Sequence, residues 1–274
     1  MTHFSNIVCK PTSWVKVRVL LIFVMFSVFA YLFYHDGTVG YREKNQQYLM
    51  HEVFVGVAQK EVEHVAGEAE WETFVAESIL PAGDEEALPL PEGFDRTQKW
   101  PASLSGAYEK LKKESNHGHT LWLDYAAERG WDAKVMDHPE DAASLKTQMG
   151  MAYGSGALAL IVLVIGLRII SRQMLVTESS YIAPGGVEVP FTSMRRIDVR
   201  KWDSKGIASI DYEVDGQKKS CKVDGMVYGQ FKQADGAPAE KLFQHILANF
   251  KGELIAYEEE NESEADESVE VKGA

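Results

Sequence analysis

From Thr147 to Leu167 the chain runs for 21 residues without a formal charge, closed by Lys146 at one end and Arg168 at the other. As a helix, a run of that length covers about 30 Å, the thickness of a bilayer's hydrocarbon core. The buried helix of a water-soluble domain is usually shorter and keeps a polar stripe. Residues 156–167 (GALALIVLVIGL) have no polar face at all. The net charge of −13 over 274 residues therefore belongs to the flanking segments. A membrane span is expected at 149–170.

A second apolar run occupies residues 15–34 (VKVRVLLIFVMFSVFAYLFY), with Lys16 and Arg18 at its start. Their long stems can reach the headgroups while the run stays in lipid. Trp14, Tyr31 and Tyr34 lie near its ends, where amphipathic rings favour the interface. Val28-Phe29-Ala30 also reads as a cleavage site of a signal peptide, but the apolar run continues through Tyr34, beyond the usual length of such a segment. An uncleaved anchor is the expected reading.

Lys10, Lys16 and Arg18 precede the first span, and Arg168 and Arg172 close the second. Placing them inside satisfies the positive-inside tendency at both spans, although Arg42, Lys44 and Lys146 flank the other ends. Residues 35–148 carry 22 acidic against 11 basic residues, a net charge of −11. A segment this acidic is poorly suited to an anionic membrane surface or to nucleic acid. It is expected outside the cytoplasm, with both termini inside, most simply in a bacterial inner membrane. Cys9 and Cys221 then share the reducing side, and the exported segment has no cysteine.

The exported segment reads as helical. Tyr41–Ala66 places Tyr48, Leu49, Val53, Val57, Val62 and Val65 at helix-compatible spacing, and 71–80, 103–114 and 120–129 are further helices. PAGDEEALPLPEG (81–93) combines prolines with acidic residues and is expected to be a surface linker. Asp137 and Pro139 mark the start of a helix that runs into the second span. Trp71, Trp100, Trp122 and Trp131 are expected to fill a small core that has no disulfides to support it. His117-Gly118-His119 raises a metal site, with His138 or Asp124 as further ligands. A lone His-x-His on a glycine turn falls short of the three or four ligands a zinc site needs.

Other catalytic patterns fail on specific residues. His51-Glu52 is followed by Val55 where the zinc-protease helix needs histidine. Ser155 lacks the glycine two positions earlier that a nucleophile elbow requires. No enzyme activity and no cofactor is expected. In the second span Gly150, Gly154 and Gly156 are small-residue positions suited to close helix packing, against the first span or against another chain.

Beyond residue 173 the periodicity becomes that of strands. Pro184-Gly185-Gly186 is a turn. Ile207–Val214 alternates apolar and polar, Asp215-Gly216 is a hairpin signal, and 218–223 returns as the partner strand. Residues 238–250 (PAEKLFQHILANF) form an amphipathic helix. The order of turn, Val189-Pro190-Phe191-Thr192-Ser193-Met194, Ile197-Asp198, Trp202, Gly206, hairpin and terminal helix resembles bacterial membrane-anchored pleckstrin-homology-like (PH-like) domains over about 173–252. That resemblance implies a β-barrel or sandwich capped by one helix, binding proteins or lipids, with no catalytic residues. Arg195, Arg196, Arg200, Lys201 and Trp202 are candidates for contact with the membrane surface, but because Asp198 and Asp203 dilute the patch, a charged strand edge that deters pairing is the favoured reading. The acidic tail, 257–274, has too few apolar residues for a core and is expected to be disordered.

The expected architecture is thus an α+β membrane protein. It has two transmembrane helices, a mainly helical extracytoplasmic domain between them, and a cytoplasmic PH-like domain. The expected role is a non-enzymatic scaffold that meets membrane lipid and a protein partner or a second copy, through the second span or the PH-like domain, and no nucleic acid. The rival is a transmembrane relay in which the exported helices sense a ligand or envelope state. A helix unbroken across Gln148 favours the relay, and a flexible break there favours a passive tether. A metal-dependent enzyme would rest on His117 and His119 alone.

Overall fold

A computed structural model describes residues 5–230 and 237–256; the acidic tail expected to be disordered lies outside the described residues. The chain divides into two compact units, Val24–Leu160 and Met1–Phe23 with Ile161–Ala274. Two helices are long and apolar enough to cross a membrane. Helix α1 (Ser13–His35) continues through a π-helical stretch (Asp36–Gly40) into α2 (Tyr41–His51). A second π-helical stretch (Glu52–Val57) then leads into α3 (Ala58–Glu61), so one rod of 49 residues runs from Ser13 to Glu61.

Helix α4 is Glu68–Glu77, a 3₁₀ turn (Ala102–Ala107) precedes α5 (Tyr108–Lys113), and α6 is His117–Glu128. Helix α7 runs unbroken from Ala142 to Ile170. It starts later than Asp137 and Pro139 suggest, because Asp141 is the residue that caps it, its Oδ1 accepting the Ser144 N–H at 2.7 Å.

Along α7 the buried positions Leu145, Ala152, Ala159 and Gly166 recur every seven residues. That period places them on one face of the helix. Within the first unit a Cβ on Gly156 would sit 4.0 Å from the Ala30 side chain, and one on Gly37 would meet Met149 at 3.0 Å. Within the second, a Cβ on Gly166 would meet Val19 at 2.3 Å.

The core of Val24–Leu160 is aromatic. Trp71 and Trp122 are fully buried and Trp100 nearly so, each donating its indole N–H to a carbonyl: Leu104, Ala133 and Ile79 respectively. The expected surface linker at 81–93 is corrected. Ala82, Leu88 and Leu90 are buried. The acidic turn is held from beneath: Glu85 accepts from both Arg42 and Arg96, and Arg96 also donates to the carbonyls of Ala82, Gly83 and Leu88. Three prolines among alternating leucines favour an extended chain that packs without helix or sheet. Asn45, fully buried, ties two loops to α2 by donating to Pro89 O and Glu140 O and accepting from the Glu140 N–H.

The other unit contains two four-stranded sheets. The first has the order β1 (Ile7–Cys9), β2 (Met174–Val176), β3 (Ser180–Ile182), β4 (Glu188–Pro190), all antiparallel. The second has the order β7 (Gln217–Asp224), β6 (Ile207–Val214), β5 (Met194–Asp198), β8 (Glu253–Ile255), with β8 parallel to β5. Among the described residues the sheets do not close into a barrel. A short helix, α8 (Trp202–Lys205), precedes β6, and α9 (Pro238–Asn249) buries Leu242, Phe243 and Ile246 in the core beside the strands. The hairpin turn is as the residues require: Asp215 and Gly216 both take positive φ, 54° and 71°, the conformation of a type I′ turn.

The N-terminal strand was not legible. β1 precedes the first apolar helix in sequence yet pairs with the strand that follows the second, Val8 opposite Leu175. Gly229 N–H donates to Lys10 O, and Thr12 N–H to Val227 O. Cys9 is wholly buried in this core.

Candidate functional site

An open cleft of about 790 Å³ lies in Val24–Leu160. Its volume is within the ordinary range for small-molecule sites. One wall is α2, presenting Tyr41, Lys44 and Gln47; the facing wall is the irregular stretch with Trp131, Lys134 and Glu140. Tyr41 and Gln47 are half-buried, and the Lys44 ammonium lies 5.1 Å from the Tyr41 ring centre. Burial raises the Tyr41 phenol above its ordinary pKa, and Glu140 and then Asp36 add to the rise. Gln148, on α7, donates to Tyr41 Oη at 3.1 Å. The side chains of Gln46 and Gln47, which also line the cleft, make no hydrogen bond among the described residues. The cleft therefore offers amides, carboxylates, ammonium groups and two aromatic rings to a polar ligand.

No family model, curated protein or solved structure matches this chain.

The sequence candidates fare unevenly. His117 and His119 are not on a solvated turn: they form the first turn of α6, with His117 buried and its Nδ1 3.4 Å from Glu114 Oε2. Gly118 between them lies where a Cβ would come 2.3 Å from Phe54 O, so the glycine serves close packing and not a loop. His51 is their neighbour in charge. Burial lowers its pKa, Glu52 opposes the shift, and His119 adds to it. Among the described residues no three His, Cys, Asp or Glu side chains converge on a metal position. His138 and Asp124 do not complete a set with the pair.

Gly150 and Gly154 face open space, with nothing within 4 Å of a Cβ at either, whereas Gly156 packs on Ala30. The small residues are thus split between two faces of α7. Of the five residues proposed for membrane contact, Trp202 is corrected. It is 5% exposed, stacks on Phe243 with ring centres 3.9 Å apart, and donates to Glu240 at 3.0 Å. An indole opposite an amphipathic helix is core material, and the preceding charges disguise it. Arg195, Arg196, Arg200 and Lys201 are exposed. Arg200 grips Asp198 through two bonds, 3.1 and 2.8 Å, and Arg195 Nε lies 3.4 Å from Glu213. Paired this way, they leave a ridge of mixed sign.

Proposed function

We propose that this is a non-enzymatic integral membrane protein that acts as a transmembrane relay. An extracytoplasmic helical domain would respond to a polar ligand or envelope state, and a cytoplasmic PH-like domain would present the response to a protein partner. The setting is a bacterial inner membrane, with both termini cytoplasmic.

One observation carries the reading: one wall of the cleft is the unbroken helical continuation of the first apolar helix, and the other, an irregular stretch, ends at the cap of the second. The α2 wall is the continuation of α1, and the stretch from Trp131 to Glu140 leads through the Asp141 cap into α7, which is helical across Gln148. A ligand that changes the spacing of the walls therefore acts on both spans at once. Rigid helices transmit such a shift where a flexible joint would absorb it. The positive residues that flank the two spans support the orientation, and the two-sheet, helix-packed C-terminal unit supports the PH-like comparison.

The test is a clamp. In full-length protein in nanodiscs, Lys44→Cys and Lys134→Cys are joined by a bifunctional maleimide, and amide exchange of β5 to β7 is compared before and after. Altered exchange in those strands is the expected result. Unchanged exchange, with a stoichiometric partner recovered from native membranes in both states, would instead make the protein a passive scaffold.

A further inference from the structure

A second groove, about 470 Å³, lies where the uncharged run begins. Gly150 leaves it open, Gly37 packs closely on Met149 along it, the 67%-exposed Tyr153 gives it an apolar wall, and Arg42 and Lys146 stand at its rim. Lys146 is the last charge before 21 uncharged residues, so its ammonium marks the edge of the hydrocarbon layer. It is exposed and makes no ion pair among the described residues. Arg42 is fixed by Glu85 and by Leu90 O, but Glu85 is shared with Arg96, so this trio keeps one positive charge. Asp141, the carboxylate nearest in sequence to the groove's α7 wall, is occupied in capping Ser144.

These two cations sit on the side where the positive-inside tendency disfavours them. An acidic domain of net charge −11 that keeps two basic groups at its membrane-proximal edge, over an apolar groove, has the chemistry of a lipid site. We infer that the groove holds one anionic phospholipid, its phosphate between Lys146 and Arg42 and an acyl chain passing over Gly150 along Tyr153. The net negative charge of the domain does not prevent this. Screening over about 8–10 Å confines the relevant field to the groove's own rim. The inference rests on the membrane reading above but not on the relay.

The test uses full-length protein reconstituted in nanodiscs of equal phosphatidylglycerol and phosphatidylcholine, with bound lipid counted by native mass spectrometry after gentle extraction. One phosphatidylglycerol per chain is expected, retained about tenfold over phosphatidylcholine. Lys146→Gln, an exposed change that leaves packing intact, should lower that preference about fivefold. Gly150→Leu should abolish retention of either lipid. Equal retention of both lipids, or indifference to Lys146→Gln, overturns the inference. So does a two-chain species that Gly150→Leu dissociates, because a second copy would then fill the groove. Recovery of the protein in the supernatant after cell breakage and high-speed sedimentation would sink the membrane reading itself, which the lipid count alone does not address.

Discussion

At Gly118 helix propensity and the space around the residue pull in opposite directions. Alanine is about 1 kcal/mol better than glycine inside a helix. Here its methyl would meet the carbonyl oxygen of Phe54, a backbone atom that cannot swing aside. Overpacking of that kind costs about 1–3 kcal/mol, so the clash outweighs the propensity. Gly118→Ala should therefore lower the denaturant midpoint of the helical unit. Charge at the other unit gives a second expectation. Arg200 beside Asp198 holds its carboxyl at about 2, below the usual value of 3.8. A depressed carboxylate stabilises the fold above its unfolded pKa and loses that contribution as pH falls from near 4 through about 2. NMR titration should find Asp198 at about 2, and Arg200→Gln should return it towards 4. The thiols form a third case. Burial pushes Cys9 up to about 11 and Cys221 up to about 12, so neither carries appreciable thiolate at neutral pH. Both should resist iodoacetamide at pH 7.5 until the chain is denatured, as followed by intact mass.

Elements with a strong local period were legible, and those defined by a distant partner were not. The β6–β7 hairpin and α9 were readable because alternation, Asp-Gly and a one-sided apolar stripe each point to one structure. The order of the Pro-rich stretch at 81–93 is not legible in its own residues, because what holds it is Arg96, at the end of the same loop, and Arg42, some forty residues earlier. β1 was invisible for the same reason, three residues whose pairing partner lies beyond both apolar helices. Of the candidate sites, the large cleft could not be seen from spacing, since its walls come from residues about ninety apart. Packing of the two apolar helices yields a test at this scale. Gly166→Leu drives a side chain into Val19 and should reduce thermal stability in detergent, whereas Gly154→Leu, pointing into open space, should not.

At the scale of the whole molecule the apolar helices decide what can be built. Their continuity, 23 residues in α1 and 29 in α7, leaves no loop inside the uncharged run. Such helices suit lipid, where every backbone group must be satisfied within the helix itself. The topology proposed from the flanking charges predicts a labelling pattern. In intact cells an impermeant maleimide should modify Glu68→Cys and spare Lys218→Cys, and permeabilisation should expose the latter; reversal of the pattern would invert the orientation. β1 also bears on biosynthesis. It leaves the ribosome about 165 residues before β2, an interval on the order of ten seconds or more at ordinary translation rates. During that time its backbone and the Cys9 thiol have no sheet to enter, and the nascent chain must shield an adhesive edge until translation brings Met174 within reach.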